Sequence, residues 1–128
     1  MNKLIFIAFL IVTATSCSKK AGDYNPDFIG HWRTEAYSLN ENSTTFYRNE
    51  IIIEKKDGAY RQQCSETCEP YVCSCSNDVT GTPTVNDSRT LLKIGSANAI
   101  TLSIDKEPYR DANDAWKMDI NGYTYTKL

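Results

Sequence analysis

The chain reads as an all-β domain: a small up-and-down antiparallel barrel of about eight short strands, stapled by disulfides. Three observations lead there. After Ala14 no segment keeps the three-and-four spacing of apolar residues that a helix needs, and short β-rich runs alternate with turn residues instead. The C-terminal stretch "AWKMDINGYTYTKL" sets Asn121-Gly122, the strongest two-residue hairpin signal, between alternating apolar positions. Four cysteines fall within the segment 64–75, "CSETCEPYVCSC", while the rest of the chain has one.

The chain opens "MNKLIFIAFLIVTATSCSKK". One Lys precedes an apolar run from Leu4 to Val12, and small residues follow up to Cys17. That order is a secretory signal; a membrane span needs about twenty apolar residues, and Lys19 and Lys20 cut this run short. The segment "ATSC" resembles a bacterial lipoprotein box. The resemblance implies a signal peptide over residues 1–16, cleaved before Cys17, and acylation of Cys17 by a diacylglycerol thioether and an N-linked fatty acid such as palmitate. Ser18 in place of Asp after the cysteine implies, within that family, a lipid anchor in the outer membrane of the cell envelope. More than one acyl chain is needed for stable anchoring. Residues 17–26, "CSKKAGDYNP", are polar and without periodicity. They read as a flexible tether, about 33 Å long if extended at about 3.3 Å per residue. Residues 27–128 form the folded domain, enough for one modest core that cross-links would help to hold.

Within the domain the first strand is expected at "GHWRTEAYS". In "NEIIIEKKDGAYRQQC" the Asp57-Gly58 pair reads as a second two-residue turn, setting Glu54 opposite Arg61, Ile53 opposite Gln62 and Ile51 opposite Cys64. Further strands are expected at "YVCSC", "TLLKI" and "NAITLSI". The stretches "SNDVTGTPTVNDS" and "DKEPYRDAND" read as long loops. The Asn121-Gly122 turn sets Ile120 opposite Tyr123 and Met118 opposite Tyr125, so apolar residues share one face while Lys117, Asp119, Thr124 and Thr126 share the other. Closure of the barrel would remove its free edges.

Gly30-His31-Trp32 at the mouth of the first strand resembles the G-x-W opening motif of lipocalins and fatty-acid-binding proteins. The resemblance, closest to the short lipocalin-like lipoproteins of bacterial envelopes, implies that Trp32 packs under the barrel floor and that Gly30 lets the backbone bend around it. An eight-stranded barrel is either filled by side chains or holds one small molecule. The inward positions here are bulky, with Phe46 and Tyr123 among them, so a packed interior is expected.

An oxidising envelope makes disulfides the natural use of clustered cysteines. A Cys73–Cys75 bond would strain alternate residues of one strand. The crossed pairs Cys64–Cys73 and Cys68–Cys75 demand incompatible hairpin registers, whereas the nested pairs Cys64–Cys75 and Cys68–Cys73 differ by a shift that one bulge absorbs. Structural zinc sites use C-x2–4-C knuckles, which Cys64 and Cys68 satisfy and Cys73 and Cys75 do not. A redox centre would use C-x-x-C, which is absent. Staples are the expectation, with no metal and no cofactor.

Without residues 1–16, which hold one Lys, 13 basic side chains face 16 acidic ones, a net charge of −3. With no clustered Lys and Arg, nucleic acid is excluded as a partner. His31 is the only histidine, no G-x-S-x-G elbow surrounds a serine, and the acidic run Asp105, Glu107, Asp111 and Asp114 lacks EF-hand spacing. These observations point away from an enzyme. They point to an anchored envelope lipoprotein with a binding or structural role, taking a small apolar ligand or a protein. The alternative is a protein-recognition lipoprotein, such as an inhibitor of an envelope enzyme or an immunity protein, using exposed aromatics such as Tyr71 and Tyr109.

Overall fold

The structure is a computed structural model that describes residues 18–65 and 74–128. In chain order its elements are β1 (Ser18–Lys20), α1 (Ala21–Tyr24), a 3-10 turn (Pro26–Phe28), β2 (Gly30–Thr34), β3 (Tyr47–Ile53), β4 (Gly58–Ser65), β5 (Asn77–Thr80), β6 (Pro83–Asn86), β7 (Leu91–Ile94), β8 (Ile100–Arg110), β9 (Trp116–Ile120) and β10 (Tyr123–Lys127). All strands join one antiparallel sheet in the order β1-β6-β7-β8-β9-β10-β2-β3-β4-β5, curled into a half-barrel. The all-β expectation holds, and β10 pairs with β2 as an up-and-down order requires.

The strand count and the closure differ from expectation for one reason. β5 and β6 are successive halves of one run of chain, kinked at Gly81-Thr82, where Gly81 has φ +150°. β5 pairs with β4, whereas β6 pairs with β7 on one side and β1 on the other. Counted as one kinked strand, they restore an eight-strand hairpin order, but the ladder breaks at the kink and, among the described residues, the sheet keeps open ends. The stretch 76–88 therefore holds two strands where a loop was expected, and Pro83, as first residue of β6, costs the ladder little. β8 likewise runs through residues 105–110, pairing β7 with its first half and β9 with its second across two register shifts. Of the strand expected over residues 71–75, only Ser74 and Cys75 are described, and neither is in a strand.

The C-terminal hairpin matches its predicted register, Ile120 facing Tyr123 and Met118 facing Tyr125. The β3–β4 hairpin does not. Ile53 faces Gly58 and Glu50 faces Arg61, because the turn spans four residues, 54–57, closed by the Glu54 N–H donating to Asp57 O at 2.9 Å. Gly58 is there for close approach: a Cβ would collide with the Pro83 ring and the Ile52 carbonyl oxygen. The corrected register replaces the expected Glu54–Arg61 pair with an ion ladder across β2–β5. Arg33 meets Glu50 at 3.0 Å, Glu50 meets Arg61 at 3.6 Å and Arg61 meets Asp78 at 3.7 Å.

The tether expected over residues 17–26 is ordered from Ser18 onward. β1 adds to β6 with Ser18 facing Asn86, Ala21 is 1% exposed, and the Arg89 guanidinium stacks 4.6 Å from the Tyr24 ring. The core gathers Phe28, Trp32, Ile51, Ile53, Leu92 and Ile120 among its buried residues. Phe46 and Tyr123, expected inside, are 45% and 38% exposed. Tyr123 lies beside the turn and Phe46 just before β3, so neither is covered by the sheet.

Candidate functional site

The two ends of the half-barrel differ in chemistry. At the floor, Trp32 is buried and its Nε1–H donates to Phe28 O at 2.8 Å, fixing the 3-10 turn beneath the sheet. Gly30 has φ +152° and brings the backbone against the Lys127 side chain. Lys127 Nζ lies 4.8 Å from the Trp32 ring and 5.2 Å from the Trp116 ring, and donates to Asp27 O at 2.8 Å. Burial between the two indoles lowers the Lys127 pKa, with Arg110 acting the same way and Asp27 opposing. Gly30 and Trp32 thus sit at one end of the domain, against the 3-10 turn and the Lys127 side chain. Charge between aromatic faces, partly desolvated, makes this a firm plug.

At the opposite end, the mouth, tyrosines converge on one buried amide. Asn49 sits at an inward position of β3 and is 0% exposed. Arg48 faces Cys64 and Glu50 faces Arg61, so Asn49 stands opposite both Gln62 and Gln63 in a β-bulge. Gln63 adopts φ 51° there, and its N–H donates to Asn49 Oδ1 at 3.0 Å. Since a backbone N–H can only donate, this bond fixes which end of the amide is oxygen. The same oxygen accepts from the Tyr37 hydroxyl at 2.7 Å, while the Asn49 N–H donates to Thr34 Oγ1 at 3.0 Å. Asn49 Nδ2 is buried with no hydrogen-bond partner among the described residues.

Burial pushes the Tyr37 phenol up to about 12, with Tyr123 and Tyr60 adding to the effect and the Asn49 bond opposing it. Burial raises Tyr60 as well, followed by Tyr123. Tyr125, 1% exposed, is raised furthest, by burial first and then by Tyr60, with the Asn49 side chain opposing. These phenols are neutral hydroxyls at physiological pH. They are available to donate or accept hydrogen bonds.

Beside this cluster lies an open cleft of about 480 Å³, lined by Glu35, Tyr37, Lys117, Tyr123, Thr124 and Thr126. The backbone positions its aromatic wall: Tyr37 and Tyr47 exchange N–H···O bonds of 2.9 and 2.8 Å, and the Tyr37 ring stands 5.3 Å from Tyr123 and 6.5 Å from Tyr47. Its polar wall is the outer face of the C-terminal hairpin, where Thr124 donates to Asp119 at 2.9 Å and Lys117 pairs with Asp111 at 3.6 Å. Leu39 and Phe46, both exposed, belong to the loop that leads from Tyr37 to Tyr47.

Cys64 and Cys75 form a disulfide at this end, the outer bond of the nested pair. Cys68, Cys73 and Tyr71 lie outside the described residues, as does Cys17. Tyr109 on β8 faces Lys117, its hydroxyl donating to Asp119 at 3.3 Å behind the polar wall of the cleft and its ring under Lys106 at 3.9 Å. Three aspartates of the acidic run are used within the fold. Asp111 accepts from the Ala115 and Asn113 N–H groups, which with Lys117 lower its pKa against the effect of burial, and Asp114 pairs with Arg110 at 2.8 Å. Asp105 accepts from the Gly122 N–H at 2.8 Å. Among the described residues no group of His, Cys, Asp and Glu is arranged to hold a metal.

Sequence reasoning missed Asn49 and Tyr37. The signal for Asn49 was present, a polar residue in phase with Ile51 and Ile53 on the buried face of "NEIII". Comparison with family models, with curated proteins and with solved structures found no match for this chain.

Proposed function

We propose that the protein is a membrane-anchored envelope lipoprotein that acts by binding, without catalysis, through the mouth of its half-barrel. The observation that carries the reading is the mouth itself. Tyr37 and Tyr123 line an open cleft with threonine hydroxyls, Glu35 and Lys117, and Leu39 and Phe46 stand exposed on the adjoining loop, the mix of rigid rings and adaptable polar groups that recognition surfaces use. The interior behind it is filled by Trp32, Ile51, Met118 and Tyr125, which favours surface recognition over an enclosed ligand. A protein partner therefore has more support than a small apolar molecule.

The anchoring half of the reading rests on "ATSC" after the apolar run, with the Cys64–Cys75 bond in keeping with an oxidising compartment. The floor motif fits a lipocalin-like relationship. Cys17→Ala should move the protein from the membrane to the soluble fraction and abolish incorporation of labelled fatty acid. Membrane fractionation and acyl labelling that both stay as in wild type would defeat the anchor. For the binding half, Tyr123→Ala, at an exposed position, should remove capture of the partner in an envelope extract while thermal stability is kept.

A further inference from the structure

The ordered N-terminus decides which way the domain faces. Ser18 already pairs with Asn86, so no slack chain separates Cys17 from the sheet. Asn86 starts the turn that ends at Thr90, and Arg89 in that turn stacks on Tyr24, next to the 3-10 turn under Trp32. The chain thus enters the domain at the floor end.

The remaining floor can be traced through the hairpin order. Gly30 faces Ile53 beside the 54–57 turn, Arg110 faces Trp116 beside the 111–115 turn, and the Leu128 N–H donates to His31 O at 2.9 Å. Leu128 is 71% exposed and Leu91 is 41% exposed, both at this end. The 54–57 turn adds Lys55 and Lys56 between Glu54 and Asp57, all exposed, and β1 adds Lys19. The loop from Thr34 to Tyr47, the Asn121-Gly122 turn and the Cys64–Cys75 bond all lie at the other end.

We infer that the floor of the half-barrel rests on the phospholipid surface, with Leu128 and Leu91 at the headgroup boundary, and that the mouth faces away from the membrane. This rests on the acylation of Cys17 proposed above. An anchor with no tether forces the end it leaves from against the bilayer. Exposed leucines are then covered at the interface. The mouth cannot reach the same bilayer, which leaves Leu39, Phe46 and Tyr123 free for a partner.

The test uses the full-length mature lipoprotein, reconstituted into vesicles of phosphatidylcholine and phosphatidylglycerol whose acyl chains are brominated. Leu128→Trp and Phe46→Trp each place a reporter at an exposed position, read as emission added to that of the parent protein. The Leu128→Trp signal should fall several-fold against unbrominated vesicles, and the Phe46→Trp signal should not change. Quenching of Phe46→Trp alone, of both or of neither, with the acyl mass present on the Cys17 peptide, would overturn the orientation and leave the anchor standing. A Cys17 peptide without acyl mass would remove the anchor and this orientation with it.

Discussion

A single asparagine sets the chemistry of the mouth. Asn49 satisfies the bulge by accepting from Gln63 and orients Tyr37 through its second lone pair, so one side chain links a backbone irregularity to the cleft. The tyrosines around it give the domain a pH limit. An acid whose folded pKa is raised loses its proton first from the unfolded chain, so its stabilisation is complete below the unfolded pKa and is lost as pH rises toward the folded one. Tyr37 moves from 10.0 to about 12, and Tyr60 and Tyr125 move in the same direction. Denaturant midpoints should therefore be flat through neutral pH up to the unfolded tyrosine pKa and fall steadily above it. Tyr37→Phe should cost about 1 kcal/mol at neutral pH, the net value of one hydrogen bond, and make the alkaline fall shallower. A wild-type midpoint that does not move across the alkaline range would contradict the burial of this cluster.

Among the elements, those whose geometry is local were legible and those set by distant contacts were not. Asn121 and Gly122 adopt φ 54° and 83°, both positive as the two-residue turn demands, and the turn alone fixes the register of β9 on β10. Nothing lies within 4 Å of a Cβ built on Gly122. Gly122→Val should thus destabilise through backbone strain alone, by about 1–3 kcal/mol in equilibrium unfolding, and an unchanged midpoint would argue against the turn. Asp57-Gly58 looks the same in sequence, yet its glycine answers to Pro83 across the kink, and Asn49 adds a bulge that no periodicity announces. β5, β6 and the second half of β8 were hidden for a related reason: their Gly, Pro, Asn and Asp residues read as turns, and only pairing with partners far along the chain makes them strands. The outer disulfide was legible because nesting follows from hairpin register. It closes a separation of 11 residues, and reduction should lower stability by about 3 kcal/mol in the chain-entropy account, read as a shift of the urea midpoint with and without reductant.

At the scale of the whole molecule, the kink at Gly81-Thr82 leaves a weak line in the wall. The Gly81 N–H donates to Gly58 O at 3.0 Å, and alternation along an antiparallel ladder then turns Val79 and Asn77 toward β4, and the Asp78 and Thr80 amides away from it. Among the described residues no strand pairs with that edge; a groove of about 330 Å³ lies there, between β5 and residues Ser96–Asn98. β3 is the opposite case, paired on both sides, with Asn49, Ile51 and Ile53 fully buried. Local opening draws on the elements with the fewest buried contacts, so protection against hydrogen exchange should be uneven across this sheet. Amides of Asp78 and Thr80 should exchange at rates near those of an open chain, while those of β3 and of its neighbour β2 should exchange only through unfolding of the whole domain. Raising the urea concentration should therefore speed exchange at Ile51 and Trp32 and leave Asp78 nearly unchanged. If Asp78 and Thr80 were as protected as Ile51 and shared its urea dependence, the wall would be paired across the kink, and the sheet would be a closed barrel in solution.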